Sequence, residues 1–271
     1  MISLSANNNL LAFESFQKFA PHITDFVTTR HGGFSGGSYA TFNPSPYSGD
    51  DISLVRRNLT KLCSELPYHP LQLFRPRQVH GTELRVIDKF FLSLPSEEQM
   101  KLLTGVDALA TREAGYCICV STADCIPIIL YDKANDIVAV VHAGWRGTLK
   151  HIVTHTLGEL HARFGTQGKD VYAGIGPGIS LPAFEVGEEV FEAFRNASFD
   201  MEKISVWNEE TKKHHIDLWK ANEMQLQKAG VPSSQIELSG ICTYTDYEDF
   251  FSARRLGKES GRILTGIMIN Q

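Results

Sequence analysis

At 271 residues and 42% hydrophobic, with a formal net charge of −5 and both signs mixed throughout, the chain can bury a full core but offers no polyanion-binding surface, so nucleic acid is disfavoured as a partner. Its N-terminus lacks the basic flank and apolar run of a signal peptide, and no apolar stretch is long enough to span a bilayer, so cytoplasmic residence without a membrane partner is expected. Five cysteines, an odd number, argue for free thiols in a reducing compartment rather than a disulfide framework.

No Pro/Gly/Ser-rich linker divides the chain, which reads as one domain over residues 1–271. Ile23 to Thr29 reads as a strand running into Arg30-His-Gly-Gly-Phe-Ser-Gly-Gly-Ser38. Glycines there can turn N–H groups toward an anion that Arg30 clamps, although a plain inter-strand loop explains the glycines as well. The turn-rich segment Asn43 to Asp51 leads to a helix from Asp51 to Leu66, with Cys63 on it read as core. Leu73 to His80 reads as extended and ends at Gly81, with Glu83 to Ile87 returning as its partner strand. Lys89 to Leu103 is amphiphilic. Asp107–Thr111 and Tyr116–Val120 are short strands, and Cys117 and Cys119, on one face of the second, belong to a buried core.

The stretch from Val120 to Gly147 reads as a hairpin: Ile126–Tyr131 and Ile137–Val141 are β-branched runs flanking the turn cluster Asp132 to Asp136. With the turn at Asp132 to Asn135, Tyr131 pairs with Asp136 and Cys125 falls opposite His142, close enough for a shared metal or a thiolate–imidazole pair. A slip of one residue would put the two on opposite faces. A helix from Trp145 to about Phe164 follows, on which His151 and His155 stand one turn apart; the intervening Ile-Val-Thr has no glutamate, so a solvated face is expected there. Val171 to Ile179 is a strand entering a Gly-rich turn, Glu188 to Phe194 a helix, and His214-His215-Ile-Asp217-Leu the start of another, with Trp219 and Met224 on its core face. Gly261 to Ile269 is a closing strand. Strands recurring between helices without a regular wind predict an α+β domain of mixed sheets packed with helices.

Singly weak, His80, Cys125 and His142 form a set with a chemical logic. Two imidazoles and one thiolate are a catalytic zinc set that leaves a fourth position open, and zinc makes hydroxide available near neutral pH. Asp124, beside Cys125, is a candidate acid/base. Without a metal, the same residues would make a cysteine hydrolase with Cys125 as nucleophile and His142 as base. Copper is less favoured: the chain has no His-x-His pair, and no methionine near the motifs to serve as an axial ligand.

Several motifs, Arg30-His-Gly-Gly-Phe-Ser, Gln78-Val-His-Gly-Thr, Asp107-Ala-Leu, Thr122-Ala-Asp-Cys-Ile-Pro, Val141-His-Ala-Gly-Trp-Arg-Gly, Ile175-Gly-Pro, Phe184-Glu-Val-Gly and Phe250-Phe-Ser-Ala-Arg-Arg, occur in this order from about Thr28 onward. Together they resemble the YfiH-like family, long labelled laccase-domain or polyphenol oxidase proteins. The resemblance implies a single α+β domain, zinc held by His80, Cys125 and His142, and purine nucleoside phosphorylase activity on adenosine and inosine. It also implies adenosine deamination and methylthioadenosine cleavage. Some members are associated with cell-wall precursor editing, which would suit the hydrolase alternative. Nucleoside and phosphate are then the partners. The expected phosphate ligands are Arg30, the amides around Gly33 to Ser35 and Arg146, with Asn43 and Gln78 also placed at the substrate. Two departures stand out. Gly176-Pro-Gly178 replaces a common Gly-Pro-Cys and excludes a cysteine role there, and Asn43-Pro-Ser45 replaces Asn-Leu-Gly, which bears on the pocket rim.

Overall fold

Strands form where β-branched and apolar residues run together, and five of them, Ile23–Thr28, Ala108–Thr111, Ile126–Asp132, Ile137–Ala143 and Ile263–Ile269, are buried at every position. The computed structural model describes residues 1–5 and 9–271. In chain order its strands are β1 (Ile2–Ser3), β2 (Leu10–Ala12), β3 (Ile23–Thr28), β4 (Gln72–Phe74), β5 (Leu84–Ile87), β6 (Ala108–Thr111), β7 (Tyr116–Thr122) and β8 (Ile126–Asp132). They continue as β9 (Ile137–Ala143), β10 (Val171–Ile175), β11 (Glu185–Val186), β12 (Ser205–Asn208), β13 (Lys213–Ile216), β14 (Ile236–Leu238) and β15 (Ile263–Ile269). One mixed sheet has the order β1-β2-β3-β15-β7-β4, a second β14-β10-β8-β9-β6-β5, and a small third β11-β13-β12.

The two large sheets pack face to face. Along β8, Ile129 and Tyr131 point into the layer shared with Ile118, Val120 and Ile267 of the first sheet, while Ile128 and Leu130 point to the opposite side, against Val153, Leu157 and Leu226 of the helices Ile152–Phe164 and Leu218–Lys228. Behind the first sheet, Leu62 and Leu66 cover Cys117, Cys119, Leu264 and Met268. Because β15 lies between β3 and β7, the last strand ties the N-terminal segment to the middle of the chain. The mixed sheets and packed helices expected from the sequence are present. Among the described residues no helix is long and apolar enough to cross a membrane, and all five cysteines are free thiols.

Four local expectations need correction. Leu73–Phe74 and Leu84–Ile87 are not partners: β4 pairs with β7, whereas β5 pairs with β6 in the other sheet. Pro76 has no N–H to continue a ladder, and the segment uses this break to cross between sheets. The helix starting at Trp145 breaks at His151, whose φ is 58°, and resumes at Ile152; His151 stacks on Phe199 and joins no metal cluster. His214 and His215 lie on β13 rather than on a helix, which begins only after the Asp217 cap accepts from the Lys220 amide. Cys63 is half-buried instead of belonging to the core.

Asp25 on β3 carries a prediction of its own. It is 3% exposed, its Oδ2 accepts from the Phe13 amide at 2.8 Å, and burial pushes its carboxyl up to about 7. A carboxyl raised in this way contributes stability that is complete below its unfolded value near 3.8 and is lost as pH rises through the folded value. Between pH 5 and pH 8 the wild type is expected to lose about 2 kcal/mol more stability than Asp25→Asn. Urea denaturation at both pH values measures this, and parallel losses would remove Asp25 from the pH dependence.

Candidate metal centre and its two cavities

Two turns and one strand carry the candidate ligands. His80 ends the crossing segment with φ 61°, Asp124 precedes Cys125 with φ 81° at the β7–β8 turn, and His142 lies near the end of β9. Left-handed conformations are costly for residues other than glycine and persist only when surrounding bonds over-determine them. At His80 the determinant is Asp107, immediately before β6. Its carboxylate accepts the amides of Val79 (3.2 Å), His80 (2.9 Å) and Gly81 (2.7 Å). The same carboxylate accepts a hydrogen bond from His142 Nδ1 at 2.7 Å, and its backbone carbonyl accepts from the His142 amide at 2.8 Å. One buried acid therefore sets both histidines and leaves His142 Nε2 facing Cys125. Gln78 adds a tie by exchanging two hydrogen bonds with the Ser121 backbone, at 2.8 and 2.9 Å.

Asp124 fastens the cysteine turn. Its two carboxylate oxygens accept from Thr243 Oγ1 at 2.8 Å and from the Arg254 amide at 2.6 Å, and its carbonyl accepts from the Ile179 amide at 2.8 Å. Each carboxylate oxygen of Asp124 is thus already engaged in holding this turn.

The hairpin register differs from the sequence expectation by two positions, because the turn is Lys133 to Asp136: Asp132 pairs with Ile137, Pro127 with His142 and Ile126 with Ala143. A shift of two preserves the face, so Cys125 and His142 still converge, diagonally. One step beyond the last pair, Gly144 stands opposite Cys125. A Cβ there would lie 2.9 Å from Cys125 Sγ and 3.0 Å from His80 Cδ2.

The ligand atoms of His80, Cys125 and His142 lie within 4.8 Å of one another, the only such His/Cys/Asp/Glu group among the described residues. Burial alone would raise the Cys125 thiol, but His142 and His80 bring it down to about 6. Burial alone would lower His142, but Cys125 and Asp107 hold it up at about 9. Without metal, the pair is thiolate and imidazolium at neutral pH. A soft thiolate, two imidazoles, a carboxylate behind one of them and a side-chain-free wall at Gly144 fit a zinc ion with an open position.

Cys125 borders two cavities of different character. One, about 410 Å³, has the apolar walls Trp145, Ile179, Phe184 and Leu218 together with Asp124, Arg254 and Lys258, the last shared with the other cavity. The other, about 510 Å³, contains His80, His142, Gln78 and three cations, Arg146, Lys258 and Arg262. Arg146 is exposed and lies over the Trp145 ring at 4.1 Å.

The glycine-loop phosphate site is not assembled. Arg30 donates to the carbonyls of Ala40 and Tyr247 and packs over Phe251. The amides of Gly33, Phe34 and Ser35 are bonded to Thr41 Oγ1, Asn58 Oδ1 and the Thr41 carbonyl. Asn43 is wholly buried, donating to Ser48 and Asp50 and accepting from the amides of Ser45 and Arg262. These residues hold the rim loop instead of presenting free donors to the cavity. Sequence reading missed Lys258 and Arg262, which no motif spacing links to Cys125. It also missed Asp107 and Gly144 as functional positions, although both lie inside motifs it had singled out.

Residues 24–270 match the family model described as multi-copper polyphenol oxidoreductase laccase. The chain is 54% identical over 271 residues, 100% of both chains, to a purine nucleoside phosphorylase of Bacteroides thetaiotaomicron. It is 43% identical over 252 residues to adenosine deaminase RL5 of an unknown prokaryotic organism, covering 93% of this chain and 96% of that one. Among solved structures it resembles YlmD from Geobacillus stearothermophilus, with a TM-score of 0.85 and 32% identity over 96% of this chain and 94% of that one. YfiH from Bacillus licheniformis gives a TM-score of 0.87 and 26% identity, with 96% of each chain covered.

Proposed function

The chain belongs to the multi-copper polyphenol oxidoreductase laccase family, and from that premise we propose that it is a zinc-dependent purine nucleoside phosphorylase acting on adenosine and inosine, with adenosine deaminase and methylthioadenosine phosphorylase activity. The names of its relatives support this activity. The observation that carries the assignment to residues is that the three-ligand cluster lines a cationic cavity, while its Cys125 also borders a slot with the aromatic walls Trp145 and Phe184. A purine is flat and apolar on its faces, and Trp145 and Phe184 can sandwich it. Phosphate is compact and anionic, and Arg146 and Lys258 can hold it against the sugar's anomeric carbon, beside the positive charge of Arg262, whose Nη1 and Nη2 donate to the carbonyls of Ser260, Gly261 and Lys258. The same cations would stabilise the charge that shifts between phosphate, oxocarbenium-like sugar and departing base.

His80, Cys125 and His142 would hold the metal, with Asp107 fixing the His142 tautomer. Bound zinc supplies a Lewis acid that makes water nucleophilic near neutral pH, the chemistry deamination at purine C6 needs. A multicopper oxidase needs several ligand clusters, and only one is present among the described residues. The test is metal analysis of the purified protein combined with purine release from adenosine and inosine, with and without phosphate. Zinc near one per chain and phosphate-dependent ribose 1-phosphate formation, lost on Cys125→Ala, are expected. Phosphate-independent release would sink the phosphorylase reading.

One observation favours a second reading. Cys125, His142 and Asp107 are arranged as nucleophile, base and orienting acid, which also suits a metal-free cysteine hydrolase. That enzyme would keep its activity in chelator, whereas the zinc enzyme would lose it.

Arg146→Gln is expected to raise the phosphate KM about tenfold, the value of a charge-assisted contact, with a smaller change in the nucleoside KM. Arg30→Gln should leave the ratio of the two KM values unchanged and lower the denaturation midpoint instead. The opposite pattern would restore the glycine loop as the phosphate site.

A further inference from the structure

Arg75 stands apart from the centre just described. Its Nη1 donates to the Pro44 carbonyl at 2.8 Å, while its Nε is sealed from solvent with no hydrogen-bond partner. Among the described residues no Asp or Glu pairs with it; the titratable groups around it are Tyr47 and the thiols of Cys63, Cys117 and Cys119. Burial raises the Cys63 and Cys119 thiols, so they remain neutral and supply no countercharge. A guanidinium removed from water without an anion is costly, and buried charges are ordinarily paired.

This group lines a cavity of about 470 Å³ between the helices Ile52–Glu65 and Ser96–Leu102. Arg56, on the first helix, supplies a second cation, and Leu59, Phe74 and Met100 supply an apolar floor, while no Asp or Glu contributes to the wall. Two cations above an apolar floor match a molecule with one anionic end and an apolar body. With Nη1 on the Pro44 carbonyl and Nε sealed, Nη2 is the edge of Arg75 left to meet a carboxylate, which Arg56 would hold from the other side.

We propose that this cavity is a second ligand site, taking a small organic carboxylate seated on Arg75 and Arg56. It is separate from the metal centre but shares a wall with it. Tyr47 lines both cavities, and Arg75 holds the Pro44 carbonyl of the loop that also places Ser45 at the metal-side cavity. The proposal does not depend on the nucleoside reading, since its test measures binding.

Benzoate and hexanoate are titrated calorimetrically into the metal-loaded full-length protein. A saturable site is expected, weakened about tenfold or more by Arg75→Gln and unaffected by Arg146→Gln. Should Arg75→Gln fold poorly, Arg56→Glu gives an independent variant at an exposed helix position. It sets a carboxylate against Arg75 and should abolish binding. If neither acid saturates the wild type, or if Arg146→Gln weakens binding while Arg56→Glu does not, the site is not the one proposed.

Discussion

Asp107→Asn is expected to weaken zinc binding about 10- to 100-fold and to lower kcat/KM at least as much, with the wild-type sheet content retained. The carboxylate accepts from the His142 ring and from three consecutive amides of the His80 loop. An asparagine has one oxygen for these donors, and its NH2 group must face an N–H or displace the histidine. Whichever way it turns, either His142 loses the acceptor that keeps Nε2 free for the metal or the Val79–Gly81 turn loses its anchor. Asp107→Ala goes further: it removes the acceptor altogether in a wholly buried position and should cost about 3–5 kcal/mol of stability. Competition with a chromophoric chelator reads metal affinity, and thermal unfolding of the metal-free proteins separates ligand positioning from folding. Unchanged zinc affinity in Asp107→Asn would mean that the two histidines are positioned by something else.

What the sequence disclosed about this centre follows from the parity of a β-strand. Cys125 and His142 were paired with the wrong register, yet the error was two residues, and an even shift leaves a side chain on the same face. The turn length was illegible because Lys133-Ala-Asn-Asp136 and Asp132-Lys-Ala-Asn135 are equally good turn formers; Asp132 settles it by capping its own turn, its carboxylate accepting from Ala134 and Asn135. His80 joins the pair in the sequence by chemical type and by the family resemblance, not by any local pairing, since its approach depends on a segment that leaves one sheet at Phe74 and enters the other at Leu84. The bonding of the glycine loop was hidden for a related reason. Its glycines read as amides offered to an anion, whereas Gly33 is needed because a Cβ would sit 2.2 Å from the Thr41 carbonyl oxygen, and the amides of Gly33 and Phe34 are taken by Thr41 and by Asn58 of the helix Ile52–Glu65. Two cations of the metal-side cavity, Lys258 and Arg262, reach it because β15 inserts beside β7, a long-range pairing with no local signature.

Gly144→Val should abolish metal binding while leaving the fold intact. Gly144 has φ −67° and ψ 166°, ordinary extended backbone, so nothing in its conformation demands glycine. Nor does helix capping, since Gly144 precedes Trp145 as a cap without a side-chain bond and other residues could serve there. What demands glycine is the space: a Cβ 2.9 Å from Cys125 Sγ and 3.0 Å from His80 Cδ2 presses on two candidate ligands at once. Cys125 cannot retreat easily, because Asp124 is fastened through Thr243, Arg254 and Ile179, and His80 is fixed through its backbone to Asp107. Alanine should force a shift of a few tenths of an ångström and reduce zinc affinity. Valine, with two further methyl groups, should occupy the space between the ligands and lower kcat/KM by about 10² or more, on the scale of a misplacement of about 1 Å in a catalytic site. Iodoacetamide labelling supplies a readout independent of activity. In wild type, zinc should protect Cys125, a thiolate at pH 7 when metal-free, and chelation should expose it. In Gly144→Val, added zinc should no longer slow its alkylation. If zinc protected Cys125 equally well in the valine variant, the metal would have to lie elsewhere than between Cys125, His80 and His142.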